Sequence, residues 1–273
     1  MPPWSPCLGK LASVPGAAPT LPPTYVQRTT MLEEEVAGLT DPHRSASVTH
    51  CLLGMGGAGK TLMASSVVRG ERVRASFKDG VFWIPVGYES KDVALLLEDL
   101  AVELARAPTD KPHRCPDLFN GAEEALRHLS AVRAASDLSC LIVLDNVWSV
   151  EVANAFASTG FHVLVTTRQR KVISTAHFGL CTEVGDMSKE DALEVLRKAS
   201  QARGPLPAEQ ALQVARDCGM LPLTLGMVGT LVRDQPLNPT SWRAVYESLQ
   251  ENHAKYHQME SCTPSTQASA RCP

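Results

Sequence analysis

The stretch that decides the fold of this chain is Gly54-Met55-Gly56-Gly57-Ala58-Gly59-Lys60-Thr61, which follows the apolar run 48–53. It satisfies the P-loop pattern G-x-x-x-x-G-K-[ST]. Its four glycines allow a tight turn in which successive backbone N–H groups point inward and form a concave site for phosphate oxygens. A helix expected to begin near Lys60 adds its positive N-terminal end to that site. Lys60 is therefore expected to reach the β- and γ-phosphates of a nucleotide, and the Thr61 hydroxyl to bind Mg²⁺.

A second glycine pattern overlaps the first. Glycines 54, 56 and 59 also satisfy G-x-G-x-x-G, the fingerprint of dinucleotide-binding folds, which expects an acid about 20 residues later at the end of the next strand. Asp79 has roughly that separation, but it precedes the candidate strand 80–86, and Glu89 comes too late. A dinucleotide loop also has no use for the Lys-Thr pair. The phosphate loop is therefore preferred over the dinucleotide loop and over a plain glycine-rich surface turn.

The composition is that of a globular protein of one or two domains, with 273 residues, 44% hydrophobic and 20% charged. A net charge of −3 argues against a nucleic-acid or anionic-membrane partner. The eight cysteines form no C-x-x-C pair, which favours reduced thiols in a cytoplasmic protein. The N-terminal stretch is proline-rich and lacks the apolar core of a signal peptide, and no segment is apolar enough to span a membrane. We expect a cytoplasmic protein with no membrane or nucleic-acid partner.

Alternating apolar runs and helical patterns predict an α/β fold with a parallel sheet. The candidate strands are 80–86, 141–144, 163–165 and 180–184, and the candidate helices between them include 29–38, 60–68, a Ser90-capped helix through Leu104, and 122–135. After Asp186 the pattern is purely helical, with Ser188 as a cap and further helices near 207–217, 221–233 and 240–252. We therefore expect a disordered proline-rich arm over 1–23, an α/β domain over 24–186, a small all-helical domain over 187–252 and a disordered tail over 253–273. Three consecutive acids, Glu33-Glu34-Glu35, predict a solvent-exposed helix face.

Two further residues stand directly after apolar strands. Asp145 follows Leu141–Leu144, the place of a Walker B carboxylate that holds Mg²⁺, commonly through water. Arg168 follows the strand that contains Val163–Val165, where its guanidinium could contact a terminal phosphate and report its presence. We expect both side chains to lie beside the phosphate loop.

These motifs occur in one order with Gly219-Met220-Leu221-Pro222-Leu223 and with an upstream Tyr25-Val26-Gln27-Arg28. Together they resemble the NB-ARC domain of STAND ATPases, found in plant resistance proteins and apoptotic-protease activators. The resemblance implies a P-loop NTPase sheet of the additional-strand class, in which the Arg168 strand lies between the P-loop strand and the Asp145 strand. It also implies that Pro222 packs on the adenine and that Val26 and Arg28 line the base pocket. The expected nucleotide-binding residues are Val26, Arg28, Gly54, Met55, Gly56, Gly57, Ala58, Gly59, Lys60, Thr61, Leu62, Arg168 and Pro222; the catalytic residues are Asp145 and Arg168, and the metal ligands are Thr61 and Asp145.

The chain departs from the family pattern in two places. Asn146 stands where the family commonly carries a second acid after the Walker B aspartate, and an amide cannot accept a proton from water as a carboxylate can. The residues after Leu223 in this sequence contain no Met-His-Asp motif, so we expect no winged-helix domain of the family type among them. Hydrolysis of ATP is therefore expected to be slow or absent, whereas nucleotide binding is expected to be intact.

The preferred interpretation is an ATP/ADP-binding molecular switch with Mg²⁺ as cofactor, acting in defence or cell-death signalling. Its expected partners are other proteins or further copies of itself, bound through the NB-ARC surface. Two alternatives stay open. One is a truncated, non-switching interaction module that binds nucleotide statically; the other is a P-loop kinase or ATPase with a small-molecule substrate.

Overall fold

A computed structural model describes residues 11–41, 49–88, 92–107, 114–116, 118–136, 138–173 and 178–261, with the backbone alone for 178 and 252–261. The chain divides into two compact units, one ending at Gly185 and the other beginning at Asp186. Each unit is considered by itself below.

The first unit is built on a five-stranded parallel sheet. Its strands are β1 (Thr49–Leu53), β2 (Gly80–Pro85), β3 (Cys140–Val147), β4 (His162–Thr167) and β5 (Phe178–Glu183), in the spatial order β2-β3-β4-β1-β5. The central strands carry apolar runs such as Leu141–Leu144, all fully buried, because helices cover both faces of a parallel sheet. Pro85 has no N–H to donate to a neighbouring strand, and it is the last residue of the edge strand β2.

The position of β4 confirms the predicted fold class. β4 pairs with β1 on one side and with β3 on the other, so the strand that ends before Arg168 lies between the P-loop strand and the Asp145 strand. This is the additional-strand arrangement that the resemblance implied. It brings the ends of β1, β4 and β3 to one edge of the sheet, where the candidate site is built.

The helices of this unit are α1 (Thr29–Leu39), α2 (Lys60–Arg69), α3 (Glu71–Ser76), α4 (Val93–Arg106), α5 (Ala122–Ala135) and α6 (Val150–Ala157). A short 3-10 turn follows at Arg170–Ile173. Ser90, the predicted cap of α4, lies outside the described residues. The Asp92 side chain caps this helix by accepting from the backbone N–H of Ala94. The sequence did not predict α3 and α6, which are too short to show a helical period.

The second unit is helical, with α7 (Lys189–Ala199), α8 (Ala208–Asp217), α9 (Pro222–Gly229) and α10 (Pro239–Ser261), and a 3-10 turn at Thr230–Val232. The predicted cap is confirmed, because the Ser188 hydroxyl accepts a 3.0 Å hydrogen bond from the backbone N–H of Asp191. α10 continues past its predicted end at 252, and 262–273 lie outside the described residues. Among the described residues neither this helix nor any other is long and apolar enough to cross a membrane.

The N-terminal segment 11–23 is ordered against the first unit, which differs from the disorder predicted for 1–23. Ala12 and Ala18 are each 5% exposed. The Ala12 N–H donates to the carbonyl of Arg74 at 3.1 Å, and Arg74 Nε donates back to the carbonyl of Ala12 at 2.6 Å. The Ser65 hydroxyl also donates to the carbonyl of Pro19. Small residues and backbone carbonyls that accept hydrogen bonds therefore let this proline-rich segment pack on the rest of the unit, although its composition predicted disorder. Residues 1–10 lie outside the described part.

The exposed acidic face predicted at residues 33–35 holds for Glu33 and Glu34 and is wrong for Glu35. A helix turns about 100° per residue, so the first and third of three consecutive side chains point about 200° apart, and here the third faces the sheet. Glu35 is fully buried, with Oε1 at 2.8 Å from His50 Nδ1 and Oε2 accepting a 2.8 Å hydrogen bond from the Thr182 hydroxyl. Glu35 therefore ties α1 to strands β1 and β5.

Cys51, Cys140, Cys181 and Cys218 carry thiols that form no disulfide. Burial raises the pKa of Cys140 to about 12 and that of Cys218 to about 11. Buried thiols of this kind act as small apolar side chains.

Candidate phosphate-binding site

The phosphate loop connects the end of β1 to the start of α2 at Lys60. Gly57 and Gly59 have φ values of 82° and 95°, a left-handed conformation that side chains other than glycine rarely adopt. At Gly54 an added Cβ would lie 2.3 Å from the carbonyl oxygen of Val184, and at Gly56 it would lie 2.6 Å from Nη1 of Arg168. Gly57 and Gly59 are therefore needed for the turn and Gly54 for the close approach of the Val184 backbone, whereas at Gly56 the neighbour is the flexible end of the Arg168 side chain.

Lys60 lies inside the loop, and its side chain is held by the loop backbone. The residue is 8% exposed, and Nζ donates to the carbonyls of Gly54 at 2.8 Å and Met55 at 2.7 Å. Burial, and after it the charge of Arg168, lowers the pKa of the Lys60 ammonium below its usual value. Two cations, Lys60 and Arg168, therefore lie at one loop, and a bound anion would reduce the repulsion between them.

Asp145, at the end of β3, is hydrogen-bonded to the first turn of α2. The Thr61 hydroxyl donates to Asp145 Oδ1 at 2.8 Å, which places the two predicted metal ligands side by side. A hydroxyl and a carboxylate are the oxygen donors that Mg²⁺ uses when phosphates complete its coordination. Among the described residues no group of three or more His, Cys, Asp or Glu side chains could hold a metal. These residues fit a magnesium ion bound together with a nucleotide and do not form a metal cage without it.

Thr166 belongs to the site although the sequence analysis did not single it out. It is 1% exposed, and its hydroxyl donates to Asp145 Oδ1 at 2.6 Å while accepting from the backbone N–H of Asn146 at 2.8 Å. The signal was present in Thr166-Thr167, two hydroxyl residues ending a buried strand. These hydroxyls can be assigned to the site only once β3 and β4 are known to be neighbours, and the pairing of the two strands shows that they are.

Asn146 takes a left-handed backbone conformation, with φ 60°, at the point where the register of β3 against β4 is interrupted. Asparagine tolerates this conformation better than most residues. Its side-chain oxygen accepts a 3.1 Å hydrogen bond from Trp148 Nε1. The amide therefore already has a partner inside the protein.

Arg168 is exposed, and its guanidinium lies at the phosphate loop as predicted. Its Cζ is 5.7 Å from the centroid of the Trp148 ring, and Nη1 is close to Gly56. The Tyr88 ring also contacts the Trp148 ring, with centroids 4.9 Å apart and an interplanar angle of 85°. The sequence analysis named Arg168 and did not predict the aromatic pair beside it.

The upstream motif also reaches the loop. Arg28 donates from Nη1 to the carbonyl of Gly185 at 2.6 Å and from Nη2 to the carbonyl of Ala58 at 3.1 Å. Val26 is half-buried. Met55 is 67% exposed at the tip of the loop, and Leu62 is half-buried in α2. The first unit thus brings Arg28, Lys60, Thr61, Asp145 and Arg168 to one loop. Pro222 belongs to the second unit, as the first residue of α9, so its contact with the base stays a prediction.

Residues 28–204 match the profile of the NB-ARC domain. Over 260 residues the chain is 30% identical to apoptotic protease-activating factor 1 of Danio rerio, an alignment that covers 92% of this chain and 20% of that protein. Over 229 residues it is 25% identical to disease resistance protein UNI of Arabidopsis thaliana, covering 77% of this chain and 24% of the relative. The chain therefore spans about a fifth to a quarter of the length of these relatives.

Among solved structures, the fold is similar to that of a Signal Transduction ATPase with Numerous Domains (STAND) protein with a tetratricopeptide repeat sensor from Pyrococcus horikoshii. The TM-score is 0.51 at 15% identity, and the match covers 84% of this chain and 32% of that one. At this identity the likeness supports the fold alone.

Proposed function

The chain belongs to the NB-ARC family, and on that basis we propose that it is a nucleotide switch. In this proposal it binds ATP or ADP together with Mg²⁺ and changes conformation with the phosphate state. The observation that carries the proposal is the convergence on one loop of Lys60, the Thr61–Asp145 pair and the Arg168 guanidinium. A static phosphate site needs a cation such as Lys60. A switch also needs a group that contacts only the terminal phosphate, which is present in ATP and absent from ADP.

Within the proposed switch each residue has a separate task. The loop N–H groups and Lys60 bind the β- and γ-phosphates, while Thr61 and Asp145 hold the metal. Arg168 contacts the γ-phosphate, which ADP lacks, and so supplies the differential affinity that moves an equilibrium between two states. Arg28 and Val26 line the base pocket.

Slow hydrolysis is part of the same proposal. Asn146 follows Asp145, and its side-chain oxygen accepts from Trp148 Nε1. An amide in this place gives no second carboxylate to take the proton of an attacking water. ATP, once bound, would persist long enough to act as a signal.

The signalling setting is inferred from the relatives. The zebrafish relative is named an apoptotic protease-activating factor and the Arabidopsis relative a disease resistance protein. A role in cell-death or defence signalling, a cytoplasmic location, and assembly with protein partners or further copies of this chain belong to this proposal.

The test is to titrate the purified chain with ATP and ADP, each with and without Mg²⁺, and to follow hydrolysis under single- and multiple-turnover conditions. Small-angle scattering in each nucleotide state reports the shape. The switch requires binding of both nucleotides, slow turnover and a shape that differs between the two. Binding with one unchanging shape would favour the static interaction module. Rapid multiple turnover would favour the kinase or ATPase alternative, and absence of binding would reject all three.

A further inference from the structure

Three residues at the carboxyl ends of neighbouring strands form a row beside the phosphate loop. Tyr88 comes shortly after β2, Trp148 directly after β3 and Arg168 directly after β4. Val147 and Thr167 are register partners, so the next residues of these two strands, Trp148 and Arg168, are placed side by side. The guanidinium lies over the indole, with Cζ 5.7 Å from the ring centroid. The packing of this row follows from the strand order itself.

The indole of Trp148 is held in place by two contacts. Its Nε1–H donates to the side-chain oxygen of Asn146 at 3.1 Å, and the Tyr88 ring meets it nearly perpendicularly at 4.9 Å. Asn146 is in turn fixed by its backbone N–H, which donates to Thr166 Oγ1 at 2.8 Å. The ring is therefore oriented by the protein and offers one face to Arg168.

Arg168 has few other contacts to fix its position. Among the described residues it forms no hydrogen bond or ion pair, and its side chain is exposed. Its Nη1 nevertheless lies close to Gly56, where an added Cβ would come within 2.6 Å. The like charge of Lys60 is nearby and repels it. The contact that opposes this repulsion is the face of the Trp148 ring.

A cation–π contact holds a guanidinium near a ring without pairing its N–H groups with a hydrogen-bond acceptor, so that these donors stay available. Those donors can then meet a phosphate without a further loss of side-chain freedom, which otherwise weakens binding. We propose that Trp148, oriented by Asn146 and Tyr88, is a positioning residue that holds Arg168 at the phosphate loop and thereby sets the preference for ATP over ADP. This inference rests on the proposed nucleotide binding and assigns to Trp148 an effect on the ratio of the affinities for ATP and ADP.

The test is a double-mutant cycle on the full chain, with the Kd of Mg-ADP divided by the Kd of Mg-ATP as readout from calorimetry. Trp148→Ala is expected to lower this ratio about threefold or more, in the range of a cation–π contact, with the affinity for ADP nearly unchanged. In the Arg168→Ala background the same substitution is expected to leave the ratio where Arg168→Ala alone puts it. Arg170→Ala, which removes an exposed arginine paired with Glu183, is the matched control and should not change the ratio.

Substitutions at Asn146 test the same contact without removing the ring. Asn146→Gly deletes the acceptor of the indole N–H while accommodating the positive φ, and should lower the ratio in the same direction. Asn146→Asp keeps an acceptor and should keep the ratio near that of the unmodified protein. These two variants preserve the test if Trp148→Ala does not fold.

Different outcomes reject different claims. If the ratio is unchanged in Trp148→Ala and in Asn146→Gly, or falls equally with and without Arg168, the positioning role is wrong while nucleotide binding stands. If Trp148→Ala raises the ratio, the ring competes with the phosphate for Arg168 and the proposal is again overturned. If the unmodified protein binds neither nucleotide, the proposed function itself fails.

Discussion

The hydroxyl of Thr166 donates a 2.6 Å hydrogen bond to Asp145 Oδ1, the same oxygen that accepts the Thr61 hydroxyl at 2.8 Å. Two threonines from different elements, β4 and α2, thus fix one carboxylate oxygen at the end of β3. Groups that orient a ligating carboxylate commonly matter nearly as much as the ligand itself. The proposed metal site is therefore built by α2, β3 and β4 together and not by Asp145 alone.

Thr166→Val tests this relationship because valine has nearly the shape of threonine and lacks the hydroxyl. The Asp145 carboxylate loses one donor and the Asn146 N–H loses its acceptor, so we expect about a tenfold loss of affinity for Mg-ATP. Metal-free ADP should lose much less, since it does not use the carboxylate. Isothermal calorimetry with and without Mg²⁺ measures both, and Thr166→Ser, which keeps the hydroxyl, is the control. Equal losses for the two ligands would show that Thr166 acts on the loop as a whole.

Lys60→Met separates nucleotide binding from folding. The ammonium is buried, and burial lowers its pKa, so the charged form is disfavoured in the folded protein. Methionine removes that charge and keeps the aliphatic chain. The relieved desolvation and the two lost hydrogen bonds to the carbonyls of Gly54 and Met55 oppose each other, so we expect the Tm of the nucleotide-free protein to change little. The rise in Tm on adding Mg-ATP should be largely lost. Lys189→Met, at an exposed position, should keep that rise. A variant that still gains the full Tm shift would contradict the assigned contact with the phosphates.

Glu35→Ala is expected to be among the most destabilising substitutions on α1. It leaves His50, fully buried, without the carboxylate at 2.8 Å, and the Thr182 hydroxyl without its acceptor. A buried polar group left without its partner commonly costs about 1–3 kcal/mol. Urea unfolding measures the free energy of unfolding.

Glu34→Ala is the matched control, since the neighbouring glutamate is exposed and surface substitutions usually change stability by about 0.5 kcal/mol or less. Similar effects of the two substitutions would mean that the Glu35–His50–Thr182 contacts contribute little.

The sequence was informative where a motif carries its own geometry and uninformative where partners are distant in the chain. Gly54–Thr61 predicted a loop, a helix start and a cation, and the family resemblance predicted that β4 lies between β1 and β3. Glu35 looked like part of a solvated acidic run because nothing in residues 33–35 reveals that His50 lies opposite. Thr166 was missed for the same reason: its partner Asp145 is supplied by another strand.

Composition gave a wrong prediction for the N-terminal segment, which is held by hydrogen bonds to its backbone carbonyls. Residues 11–23 contain prolines and small residues and no helical or strand period, which predicted disorder. Their anchors are backbone carbonyls of Ala12 and Pro19, and the donors belong to Arg74 and Ser65. No pattern of side chains within the segment encodes such contacts.

The last prediction concerns hydrolysis, and it uses Asn146, the position at which the family resemblance implied a second acid. Asn146→Asp places a carboxylate beside Asp145, and one of its oxygens can keep the bond from Trp148 Nε1 that the amide now accepts. The second oxygen is then free to accept a proton, and general-base help commonly contributes about 10²–10⁴-fold. We expect single-turnover hydrolysis of bound ATP to accelerate about tenfold or more, with the Kd of Mg-ATP unchanged. Quenched-flow or manual quenching with radiolabelled ATP measures the rate, and Asn146→Gln, which offers no base, is the control. If Asn146→Asp and Asn146→Gln give the same hydrolysis rate, position 146 lies away from the attacking water. The role of Asn146 is then confined to orienting Trp148, and slow turnover has another cause.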